Sequence, residues 1–392
     1  MIYLDNNAST RVDPEVIEAM LPYYSASYAN PSSNYSLGRE ARAAIERARE
    51  QVAELLGAAE PGEIVFTSGG SESDNWAIRG SLAAQPEKRH VVTTVVEHEA
   101  VRNTLQALEK GGYEVTWLPV DAQGALDLDE LRAALRPDTA LVSIMLAQNE
   151  TGILFPMTEI GRIVHEYSGA LFHVDGVQAA GKIPIDLKAT EVDLFALSGH
   201  KLYAPKGVGA MYVRSGVNLP SLVIGGAQEG GRRAGTESVP AIVGLGKAAE
   251  LAFAKLGDHT VAELRDRLED GILGRFPNAR LNGTAVRALR LPNTASISFA
   301  YLQGENIMAD LDDAGICVST GSACHSSSHT ASSTLQAMDI PYTTAMGSIR
   351  FSLGRSNSRE EIDRTLSVLT GVIARLSELS PYQDELKAAA TV

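Results

Sequence analysis

Short apolar runs of strand length, each broken by a glycine or polar turn and followed by a stretch of helical spacing, constrain this chain most. Glu63–Phe66, His90–Val96, Val115–Val120, Leu141–Leu146, Phe172–Asp175 and Val192–Leu197 read as strands. Between such runs lie helices. After the break at Pro31-Ser32-Ser33, for example, Leu37, Ala41, Ala44, Ile45, Ala48, Val52, Leu55 and Leu56 recur at helical spacing, and Gly57 closes the segment. Strands alternating with helices imply an α/β sheet, largely parallel, with its site at the carboxyl ends of the strands. Gly70, Ser71, His98, Asn149, Asp175, Gln178 and Lys201 all stand just after strand-like runs.

The run Val192–Leu197 leads into Ser198-Gly199-His200-Lys201. A lysine at the end of a buried strand is costly if charged and unpaired, and is ordinarily snorkelling or paired. Here Ser198 and His200 are good phosphate donors, and Gly199 lets the backbone approach a ligand. Upstream, a second strand ends in Asp175. A buried aspartate to hold a pyridinium nitrogen protonated, with a lysine to bond the aldehyde, is the pair that pyridoxal phosphate requires.

Composition narrows the alternatives. A formal net charge of −14 argues against a nucleic-acid binder held by phosphate contacts. No apolar run is long enough to span a bilayer, and no signal-peptide pattern opens the chain. The two cysteines, Cys317 and Cys324, make no disulfide framework and suit a reducing cytoplasm. A domain change is expected near the helix starting around Pro240. The expected division is a large domain over residues 15–255 and a smaller α+β domain formed by 1–14 and 256–392. The strand around Tyr3-Leu4 is open to either part on sequence grounds.

Gly69-Gly70-Ser71 opens a helix after a strand, where free N–H groups and the helix dipole suit a phosphate; Ser71 with Asp74 fits a helix-start pattern. Gly225 to Thr236, with Arg232 and Arg233, reads either as a mobile surface loop or as one that delivers Thr236 to a phosphate, across a dimer interface in one version. His98 suits ring stacking and proton transfer. His173 lies two residues before Asp175, on the same strand face, and takes a supporting role. Arg350, a charge inside an apolar strand, is either ion-paired or a fork for a substrate carboxylate. Cys317 reads as core packing. Cys324 lies in Ser319–Thr330, among small polar residues, where a thiol is exposed enough to act as a nucleophile and His325 helps ionise it. A rival reading makes Cys324, His325 and His329 metal ligands; with three ligands and no second pair it ranks low, and no resident metal is expected. A milder version has Cys324 ligate an iron–sulfur intermediate in transit.

Together these residues resemble the cysteine desulfurases of the NifS/IscS type, within the class V aminotransferase group. The resemblance runs nearly end to end. It rests on Tyr3–Ala8, Asn30–Ser33, Thr67–Gly70, Val96–His98, Asn149–Gly152, His173–Asp175, Ser198–Lys201, Arg233–Thr236, Gly321–Cys324 and Ile349–Gly354. It implies a homodimeric fold-type I enzyme using pyridoxal 5′-phosphate. Lys201 would carry the cofactor, Asp175 would pair with its ring nitrogen, Gln178 would hold the ring oxygen and His98 would stack on the ring. Gly70, Ser71, Ser198, Gly199, His200 and the partner copy's Thr236 would surround the phosphate. Asn149 and Arg350 would grip the substrate carboxylate, and Asn149 would also touch the cofactor. L-cysteine would give alanine and a persulfide on Cys324, passed to a sulfur acceptor or iron–sulfur scaffold protein. The chain departs from the family in having Ser71 for threonine, Tyr35 near a usual histidine, His325 for threonine and Thr330-Ala331 for Glu-Pro. The alternatives are a selenocysteine lyase or another class V enzyme, or a non-catalytic sulfur-carrier subunit.

Overall fold

The computed structural model describes residues 1–320 and 331–389. Thirteen strands are numbered here in chain order: β1 (Ile2–Tyr3), β2 (Ile64–Thr67), β3 (His90–Thr94), β4 (Glu114–Leu118), β5 (Thr139–Ser143), β6 (Leu171–Asp175), β7 (Leu194–Ser198), β8 (Gly209–Val213), β9 (Ala279–Leu281), β10 (Thr294–Phe299), β11 (Ile316–Cys317), β12 (Ser319–Thr320) and β13 (Ser348–Ser352).

Strands β2 to β8 form one seven-stranded sheet in the order β2-β8-β7-β6-β5-β3-β4. The pairs β3·β4, β3·β5, β5·β6 and β6·β7 are parallel. Strand β8 runs against both neighbours. Five of the seven strands are buried at every residue beyond an alternating pattern, among them β3, β5, β7 and β8, as befits a sheet covered on both faces. One face packs under the helices Ser36–Leu56, Met157–Tyr167 and Val239–Phe253. The other packs under Gly70–Ala84, whose Trp76 and Ala77 meet Val65, Leu194 and Met211. The helix Ser36–Leu56 buries the expected stripe except Leu37, which is exposed, and Gly57 closes it in the left-handed region at φ 60°.

Strand β8 is absent from the sequence reading. It is a five-residue run starting at glycine, with nothing helical before it. A Cβ at Gly209 would sit 2.5 Å from the Leu197 carbonyl and 2.7 Å from Gly69 Cα. Only a residue without a side chain lets β8 close against both.

A second apolar cluster gathers Leu268, Ile272, Ile297, Phe299, Ile307, Phe351, Leu369 and Ile373, and takes in Ile2 and Leu4. It is built on the antiparallel sheet β12-β13-β10-β9. Strand β1 pairs in parallel with β11, which answers where the N-terminal strand goes. Cys317 differs from expectation: Ile316 is buried, but Cys317 points to the outer side of the two-stranded pair and is partly exposed. Alternation along β11 turns one residue in and the next out.

Candidate functional site

The carboxyl ends of β2, β3, β5, β6 and β7 open on a cavity of about 500 Å³, a size typical of ligand pockets. Strand β6 delivers Asp175, 6% exposed, and the adjacent β7 delivers Ser198, His200 and Lys201 through a tight 3₁₀ turn. Lys201 Nζ donates to the carbonyls of Asn7 at 2.5 Å and Ala8 at 2.9 Å. The N-terminal segment thus crosses over the lysine. It is anchored from the far side, because the Asn7 N–H donates to Ser352 Oγ at 2.9 Å.

Helix Gly70–Ala84 points its N-terminus into the same cavity. It starts at Gly70, with Gly69 as the cap residue, so Ser71 is already inside the helix. A Cβ at Gly70 would meet Val177 Cγ2 at 2.7 Å. Ser68, Gly70 and Ser71 line the cavity beside the first-turn N–H groups of the helix, which have no intrahelical acceptor, the arrangement that binds anions. Lys206 and His200 line it too. Burial, then Lys201 and Lys206, lower the His200 imidazole to about 4, so it is neutral near pH 7.

His98 caps the helix Glu99–Glu109: its Nδ1 accepts from the Ala100 N–H at 3.2 Å, which assigns the neutral ring's proton to Nε2. One donor atom each of Asp74, His98 and Asp175 lie within 4.8 Å of one another. Burial raises the Asp175 carboxyl; His98, the Val177 N–H at 2.9 Å and Lys201 pull it back down. Gln178 Nε2 donates to the Asn7 carbonyl at 3.0 Å, and its Oε1 accepts from Lys182 Nζ at 2.8 Å.

Asn149 borders the cavity, and its carbonyl accepts from Arg350 NH1 at 3.0 Å. Arg350 is 6% exposed; its NH2 donates to Asp5 Oδ1 at 2.7 Å, and among the described residues its Nε has no hydrogen-bond partner. The ion pair with Asp5 is present on one edge of the side chain, and Arg350 is not among the residues that line the cavity. Ser319, on β12, is its register partner. Gly199 does not line the cavity; its N–H donates to the Val208 carbonyl at 3.0 Å, which holds the turn. Thr236 is exposed and lies outside the cavity, near Glu229 and Arg233. The glycine-rich stretch is tied down. Arg233 Nε donates to Glu72 Oε1 at 2.9 Å, and Glu229 is paired with Arg49 at 2.7 Å and buried. Cys324, His325 and His329 lie outside the described residues.

Asn7, Asp74, Lys182 and Lys206 are missing from the sequence reading of the site. Asn7 was legible as part of a motif, not as a hub: its side chain meets Asn149, Lys182, Asn293 and Thr294. Asp74 lies one helical turn beyond Gly70, a spacing that faces the same side.

This donor set fits a phosphate-bearing pyridine ring. The glycine-led helix start suits the phosphate. Asp175 is a buried carboxylate whose surroundings lack full compensation, and a ring-nitrogen cation would supply it. Lys201 reaches the same space.

The family described as Aminotransferase class-V matches residues 2–365. A cysteine desulfurase of Trichormus azollae is 55% identical over 387 residues, covering 98% of this chain and 96% of that one. The cysteine desulfurase NifS of Azotobacter vinelandii is 50% identical over 383 residues, covering 97% and 94%. Among solved structures, a NifS-like protein superposes with a TM-score of 0.89 at 40% identity, covering 96% of this chain and 100% of that one. The fold, the cavity at its strand ends and these likenesses agree: the chain belongs to the class-V aminotransferase family, as a pyridoxal-phosphate-dependent cysteine desulfurase of the NifS/IscS type.

Proposed function

We propose that this protein takes sulfur from L-cysteine, leaving L-alanine, and holds it as a persulfide on Cys324 for transfer to an acceptor or iron–sulfur scaffold protein. One observation carries the reading: Asp175 and Lys201, from adjacent parallel strands, face one cavity that also receives the N-terminus of helix Gly70–Ala84.

Bound there, pyridoxal phosphate supplies an electron sink for charge developing at the substrate Cα. Asp175 holds a proton at the ring nitrogen. Gln178 would hold the ring oxygen, and His98 would pack against the ring. Gly70, Ser71, Ser198, His200 and Thr236 of a second copy hold the phosphate, with Gly199 shaping the turn. Lys201 Nζ anchors the cofactor and then takes up and returns the Cα proton. Arg350 and Asn149 orient the substrate carboxylate. The Cys324 thiolate forms the new S–S bond to the substrate sulfur as the substrate C–S bond breaks. The carbon fragment is protonated and leaves as alanine.

A homodimer completes the site. The exposure of Thr236 outside the cavity supports this, as does the exposed apolar run Leu222-Val223-Ile224 just before the glycine-rich stretch, with Ile224 89% exposed. The apolar cluster that joins Ile2 and Leu4 to side chains from Leu264 to Leu376 supports a small domain formed by 1–14 and 256–392 beside a large one over 15–255, with Leu291 and five side chains from Ala331 to Ala345 packed on the large domain's core. The cytoplasm is the proposed location; among the described residues no helix is long and apolar enough to cross a membrane.

The test is the mass of the intact protein after incubation with L-cysteine, before and after a reductant. The expected result is one or more added sulfur atoms on the wild type, removed by reductant and absent from Cys324→Ala. Equal sulfur on both proteins would sink the assignment of Cys324. Alanine release without any protein-bound sulfur would favour a lyase that needs no thiol.

A further inference from the structure

Asp74 stands at the start of helix Gly70–Ala84 and lines the same cavity as Asp175. It is 1% exposed, and its Oδ1 has no hydrogen-bond partner among the described residues. His173 Nε2 lies 3.5 Å from that oxygen and likewise has no hydrogen-bond partner among the described residues. His173 is wholly buried on β6, and its Nδ1 lies 2.9 Å from Ser143 Oγ on β5. If the Ser143 hydroxyl donates to Nδ1, the His173 Nε2–H faces Asp74 Oδ1, which leaves Oδ2 to carry any proton on the acid.

The groups around Asp74 decide its charge. Burial raises its carboxyl first; Asp175 on β6 raises it further, and so does Glu97 after β3 where that acid is ionised. Burial lowers His173 to about 3, so it supplies no cation. His98 and Lys201 relieve Asp175, as does the Val177 N–H. A proton shared by two close buried acids settles on the one whose charge is less compensated. That acid is Asp74.

We propose that Asp74 is a positioning residue for the cofactor: its neutral carboxyl, backed by His173, presents its proton to Asp175 and keeps Asp175 the anion that meets the ring nitrogen. The spacing of the pair, within 4.8 Å, is one that a side-chain rotation or a single bridging water spans. This inference rests on the function proposed above.

The test compares apoprotein of the wild type, Asp74→Asn and Asp74→Leu. It measures the equilibrium affinity for added pyridoxal phosphate and the pH midpoint of the bound cofactor's visible band. Asparagine is neutral and keeps a donor, so Asp74→Asn binds within about threefold of wild type, with the same midpoint. Leucine removes the donor, so Asp74→Leu binds about tenfold or more weakly, one hydrogen bond's worth, with a displaced midpoint. A weaker Asp74→Asn, or an Asp74→Leu that binds within tenfold, overturns the proposal. If Asp74→Leu does not fold, Asp74→Ala replaces it under the same thresholds. A wild-type apoprotein that takes up no cofactor would instead overturn the functional reading itself.

Discussion

Lys201 Nζ lies 2.5 Å from the carbonyl oxygen of Asn7, two residues 194 positions apart in the chain. The segment that crosses the lysine belongs to the second apolar cluster through Ile2 and Leu4, so the reactive amine of one core is held by the N-terminus packed on the other. Asn7 is 1% exposed and links both sides through Asn149, Lys182, Asn293 and Thr294.

Asn7→Ala leaves those groups with lost partners in a buried place. We expect a loss of about 1–3 kcal/mol of stability, the cost of unsatisfied buried polar groups. Urea unfolding of the cofactor-loaded protein measures it. A midpoint unchanged from wild type would show that Asn7 is not a structural hub.

Glu97 sets a pH dependence of stability. Burial, set against hydrogen bonds from Thr94 and the Met145 N–H, raises its carboxyl to about 8, from 4.5 in the unfolded chain. Between those values the folded state binds more protons than the unfolded one, so this group makes stability fall as pH rises. The slope is at most about 1.4 kcal/mol per pH unit, and it levels off above the folded pKa. Glu97→Gln removes the contribution. Unfolding midpoints taken from pH 5 to 8 should fall less steeply for the variant. Parallel curves would contradict this.

We propose that Arg350 orients the substrate carboxylate; among the described residues its buried Nε has no hydrogen-bond partner. Arg350→Gln should raise the KM for L-cysteine by about ten- to a hundredfold, the worth of a charge-assisted hydrogen bond. Cofactor absorption should persist. A variant with normal KM but reduced stability would assign Arg350 to its pairing with Asp5 alone.

Gly209→Ala drives a methyl group into backbone on both sides, at Leu197 and Gly69. Overpacking of this kind costs about 1–3 kcal/mol. Because Gly69 caps the helix that opens on the cavity, we also expect weaker retention of pyridoxal phosphate on dialysis. Tight retention with lower stability would separate the two effects.

Much of the site was legible in the sequence because strand ends announce themselves. Asp175, Ser198, His200 and Lys201 follow buried apolar runs, and Gly70 follows another, so one parallel sheet had to bring them to one edge. Strand β8 was not legible, since it runs against both neighbours and no α-helix separates it from β7. Its place depends on Gly209 fitting between two backbones from distant parts of the chain. For Arg350 the sequence leaves ion pair and substrate fork open, and the fold shows the ion pair, with Asp5.

The order of apolar runs and turns by itself determined an α/β sheet with its chemistry at the strand ends, because period and turn chemistry are local properties. Tertiary structure alone decided that the N-terminus pairs with β11 and crosses Lys201, and that Asp74 and His173 meet behind Asp175. Those contacts join residues far apart in the chain. No local pattern encodes them, since each depends on which faces the packed sheets bring together.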